Sequence, residues 1–71
     1  MDALARAALG LGIASSDFNS KSTDNLNDMA QATMHYLDVL RQLVRDGKIE
    51  KEDLPIYMSV IGEAWGALIP R

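Results

Sequence analysis

The sequence predicts an all-α fold: a three-helix domain in which the second and third helices form an antiparallel hairpin and a shorter N-terminal helix packs across them. Three observations predict it. An apolar repeat averaging about 3.5 residues runs unbroken from Leu26 to Val44, a helical period that a strand cannot satisfy. Gly47, Pro55 and Pro70 fall where helices stop and start. A stretch rich in Ser, Asn and Asp separates the first apolar segment from the second. The expected helices cover about 2–14, 24–45 and 54–68, with a polar loop at 15–23, all within a single domain of residues 1–71.

The first helix is alanine-rich, with Leu4, Leu9 and Leu11 among the alanines. Alanine is the best helix former, and it outweighs Gly10 and Gly12 until the last turn, where the two glycines are expected to fray the end. Asp2 and Arg6 lie inside this apolar run and no basic start precedes it, so it reads as part of the fold rather than as a leader. In the loop that follows, Ser, Asn and Asp bond their own backbone in competition with a helix. Phe18, the one apolar residue there, is expected to pin the loop to the core.

The second helix carries the repeat. Leu26, Ala30, Thr33, Leu37, Leu40 and Val44 are spaced 4, 3, 4, 3 and 4 apart. Met29, Tyr36 and Leu43 form a second row seven apart, while Asp28, Gln31, His35, Asp38, Gln42 and Arg45 fall opposite. Thr23 or Asp24 is the expected N-cap, and Arg41 and Arg45 sit in the last turns, where the helix dipole favours cations. Gly47 supplies a left-handed C-terminal cap, with Ile49 as the apolar contact that accompanies it. The short connection to the next helix favours antiparallel neighbours.

Pro55 suits the first turn of the third helix, with Asp53 as its cap and Pro70 as its stop. Between Leu54 and Pro70 the only charge is Glu63. Leu54, Tyr57, Met58, Ile61, Trp65 and Leu68 make one stripe, and Ile56, Val60, Ala64 and Ala67 widen it. A helix apolar over most of its circumference is buried on more than one side. The expected core is Leu4, Leu11, Leu26, Ala30, Leu37, Leu40, Val44, Ile49, Leu54, Ile61 and Leu68.

Composition narrows the function classes. A domain of 71 residues buries only about 60% of the surface its unfolded chain exposes, which leaves it marginal by itself. Small domains compensate with disulfides, metals or association. The chain has no cysteine and one histidine, His35, so association is the expected route and neither metal nor cofactor is expected. The absence of cysteine fits a reducing, cytoplasmic setting. No stretch reaches the roughly 18 uncharged apolar residues of a spanning helix.

Candidate chemistry is sparse. His35 lies on the polar face without a nucleophile or acid placed beside it, so no catalytic residue and no enzyme is expected. Glu50, Glu52 and Asp53 suit the start of a helix. The stretch from Asp46 to Asp53 resembles the back half of a calcium-binding EF-hand loop, with Asp46, Gly47 and Ile49 at matching positions. The pattern fails at its ligands: Gln42 and Val44 fall on the first two positions and Asp53 replaces the closing glutamate. Gly62 and Gly66 are spaced for a close helix crossing, within one chain or between two.

The expected function is therefore that of a protein–protein interaction or assembly module acting through apolar helix faces, alone with a partner or as a homo-oligomer. Its expected partner-binding residues are Met29, Tyr36 and Leu43 on the second helix and Tyr57, Ile61 and Trp65 on the third. Two alternatives stand beside it. A helix-turn-helix DNA-binding regulator fits the helix count, but the last helix offers only Ser59 and Glu63 to base edges, and the net charge is −3. A membrane-surface helix needs a basic polar face, and the first helix has only Arg6.

Overall fold

Asp2 starts the first helix by accepting the Ala5 backbone N–H on its carboxylate at 2.7 Å, which satisfies one of the donors a helix leaves unpaired at its N-terminus. The computed structural model describes residues 2–18 and 23–68. These form α1 (Ala3–Ser16), α2 (Thr23–Arg45), a single 3-10 turn (Lys51–Asp53) and α3 (Leu54–Gly66). Among the described residues the fold is all-helical, with three α-helices and no strand.

α1 does not fray at its glycines. It continues to Ser16, two residues beyond the expected end. Between Gly10 and Gly12, Leu11 is fully buried, and Ser15 Oγ donates to the Ala64 carbonyl at 3.1 Å. That carbonyl belongs to the last turn of α3, where carbonyls lack helical partners. Tertiary contacts thus offset a propensity cost of about 1 kcal/mol per glycine.

α2 begins at Thr23, so Thr23 and Asp24 are already helical and the cap of this helix lies outside the described residues. Residues 19–22 of the expected polar loop and Pro70 also lie outside them. Phe18 is half-buried. At the other end, Gly47 adopts φ 75°, the left-handed conformation expected of it. Its N–H reaches the Val44 carbonyl at 3.1 Å, and that of Lys48 reaches Leu43 at 2.9 Å, the paired bonds of a Schellman cap. Ile49 packs half-buried against the core.

The core differs from the expected one in a systematic way. Ala7, Tyr36 and Leu40 form a buried cluster, and Leu11 and Met29 are buried as well. Leu4, Val39, Ile49, Leu54, Tyr57, Val60 and Ile61 pack around the cluster half-exposed. Leu26, Ala30 and Leu37, expected inside, are exposed, at 49% for Leu26 and 38% for Leu37. The row Met29–Tyr36 takes their place. A straight helix drifts about 20° per heptad against a 3.5-residue repeat, so the two heptads from Leu26 to Leu40 rotate Leu40 toward the Tyr36 side and leave Leu26 behind.

α1, expected to pack across the other two helices, touches both and is the principal neighbour of α2, while α3 touches α2 at fewer points. Among the described residues two side-chain bonds join α2 to α3. The Tyr36 hydroxyl donates to the Tyr57 carbonyl at 2.9 Å. The Trp65 indole N–H donates to Thr33 Oγ1 at 2.9 Å, and that hydroxyl in turn donates to the Met29 carbonyl at 2.8 Å. No buried side-chain polar atom among the described residues lacks a partner.

Candidate functional site

α1 and α3 leave part of the apolar surface of α2 uncovered. α1 and α3, with 14 and 13 residues, are each about 20 Å long, against about 34 Å for the 23 residues of α2. Once the Met29–Tyr36 side is buried, Leu26, Ala30 and Leu37 remain as an apolar strip on the outside, flanked by Met34 at 63% exposure. Toward the C-terminal end of α2 this strip enters a groove of about 420 Å³. Leu37, Leu40 and Val44 of α2 form one wall, and Leu54 and Met58 of α3 the other. Leu40 is its buried floor, while Leu37 and Met58, the latter 42% exposed, are its open edges. Arg41 and Lys51 complete the lining, and no carboxylate among the described residues is part of it.

The structure places the six sequence-predicted site residues differently. Met29 and Tyr36, 0% and 1% exposed, lie inside the chain's own core. Burial, with a smaller contribution from Tyr57, raises the pKa of the Tyr36 phenol above its ordinary value of 10.0. Leu43 is half-buried. Tyr57 and Ile61 are half-buried against the core cluster. Trp65 is half-buried and fixed through its indole N–H to Thr33. The groove is lined by Leu37, Leu40, Val44 and Leu54, which were expected in the core, together with Met58 and the two cations. The signal for it was present: two apolar rows side by side on α2 make an arc too broad for one contact.

Other surfaces offer less. His35 and Glu63 are exposed, and the Arg41–Asp38 pair, at 3.8 Å, is exposed on both sides. Among the described residues no three His, Asp or Glu side chains gather as a metal would need. The stretch resembling half an EF-hand forms the Schellman cap of α2 and the 3-10 turn before α3. On α1, Leu9 and Ile13 are exposed on the outer face. No helix among the described residues is long and apolar enough to cross a membrane.

Compared with protein-family models, with curated proteins and with solved structures, the chain matches none.

Proposed function

We propose that this chain is a non-enzymatic protein–protein interaction or assembly module that works through the apolar groove between α2 and α3 and the strip of α2 leading into it. One observation carries the reading: with the core formed, Leu37 and Met58 still stand open at the edges of one apolar cleft. Exposed apolar surface gathered in a concave site marks a place of association, whereas scattered apolar residues do not. Covering Leu37 and Met58 contributes on the order of 1 kcal/mol each, a sizeable increment for a small domain. The two cross-links from Tyr36 to Tyr57 and from Thr33 to Trp65 run in opposite order along the two helices, which supports an antiparallel α2–α3 pair as the frame of the groove.

Electrostatics favours this reading over DNA binding. Arg41, Arg45, Lys48 and Lys51 share the hairpin end with Asp46, Glu50, Glu52 and Asp53, all exposed, so no uniformly basic surface arises to release counterions from a duplex. The helix that carries the exposed Leu9 and Ile13, α1, has Arg6 as its one cation, little for an anionic membrane surface.

The test is affinity capture from the native host with the wild-type chain and a Leu37→Glu/Met58→Glu variant, alongside sedimentation of both. The expected result is a partner, or a self-associated species, present with the wild type and absent with the variant, whose circular dichroism is unchanged. A monomeric wild type that recovers the same proteins as the variant overturns the proposal.

A further inference from the structure

We propose that the occupant of the groove is an acidic amphipathic helix of another protein, an inference that rests on the interaction reading above. Secondary structure narrows the occupant first. Both long walls are helices, and among the described residues no strand offers an edge for β-addition. The α2 wall runs from Leu37 to Val44, two turns and about 10 Å, which is the reach of apolar anchors at i, i+4 and i+7 on a bound helix.

Charge then selects among helices. The charged residues lining the groove, among those described, are cations, Arg41 on α2 and Lys51 on the 3-10 turn. Glu50, Glu52 and Asp53 flank Lys51 in sequence yet do not line the cleft. The Arg41 guanidinium meets the Asp38 carboxylate only at 3.8 Å, in an exposed i, i+3 pair of the kind that holds a side chain weakly. It is free to turn to a partner's carboxylate. An apolar cleft edged by two cations is complementary to a helix with glutamate or aspartate flanking its apolar anchors, and repels one flanked by lysine. A second copy of the chain is disfavoured in groove-to-groove pairing, because that arrangement brings Arg41 and Lys51 against their own twins.

The probe is a displayed library of helical peptides, randomised at the anchor and flanking positions and selected on the whole chain. Enriched clones are expected to carry apolar residues at i, i+4 and i+7 with acidic flanks. Their binding is expected to be lost with Leu37→Glu, to weaken roughly tenfold with Arg41→Glu/Lys51→Glu, and to decline as salt rises. Selection on the charge-reversed variant is expected to enrich basic flanks instead. Clones that need Leu37 but show no acidic bias, or a groove that sediments closed by a second copy, overturn the acidic helix and leave the interaction reading standing. Clones indifferent to Leu37, or no clones at all, overturn the acidic helix, and the capture experiment above decides the interaction reading separately.

Discussion

Replacing Tyr36 with phenylalanine removes one oxygen from the largest buried side chain of the core. The ring keeps its place, and the loss is the 2.9 Å bond to the Tyr57 carbonyl. That carbonyl lies within α3 and keeps its place in the helical ladder, so the variant leaves no orphaned acceptor. The cost is then that of a single neutral hydrogen bond, about 1 kcal/mol, or roughly 4–8 °C in Tm for a domain of this size. The same hydroxyl links stability to pH. The folded state holds the Tyr36 proton more tightly than the unfolded chain, since its pKa is raised above 10.0. Its contribution is therefore complete below about pH 10 and is lost as pH rises through the folded-state value. Urea unfolding followed by circular dichroism from pH 7 to 11 measures both effects. The gap between wild type and Tyr36→Phe should hold near 1 kcal/mol up to pH 9 and shrink above pH 10, because only the wild type has this phenol to ionise. No gap at pH 7, or one that persists unchanged to pH 11, refutes the reasoning.

Other outcomes follow from the same structure. Leu40→Ala, at a buried position, should cost about 2–5 kcal/mol in urea unfolding, while Leu26→Ala, half in water, should cost less than about 1 kcal/mol; equal costs would show that the wrong row had been placed inside. Trp65→Phe and Thr33→Val should each lose about 1 kcal/mol, and a double-mutant cycle should show coupling, because both remove the same 2.9 Å bond. Gly47→Ala forces a β-carbon into φ 75° and should cost about 1 kcal/mol. Gly10→Ala should instead stabilise by up to about 1 kcal/mol, since a β-carbon there meets nothing within 4 Å; thermal melts of the two variants should shift in opposite directions.

The positions of the helices were legible in the amino-acid order because local chemistry sets them. Gly47 takes the left-handed cap its residue type suits, Pro55 sits in the first turn of α3, and the repeat from Leu26 to Val44 marks α2 almost to its ends. α1 shows the limit of local rules: its glycines argue for an early end, and Leu11 and Ser15 hold it together through contacts with residues far away in the chain. Helix type, and the boundaries set by caps, depend on neighbours in sequence, which are written in the chain; the end of α1 does not.

Which apolar row faces inward is a different kind of question. Leu26–Leu37 and Met29–Tyr36 are adjacent, similarly apolar, and equally compatible with a helix, so periodicity alone does not choose between them. The choice falls to groups on other elements. Tyr36 finds an acceptor on Tyr57, Thr33 finds a donor on Trp65, and α1 brings Ala7, small enough for close approach, to the cluster of Tyr36 and Leu40. A hydroxyl is buried at low cost only where such a partner waits. Turning those hydroxyls inward leaves Leu37 and Met58 at the surface, and so the groove exists because of where the polar tips of the core were satisfied.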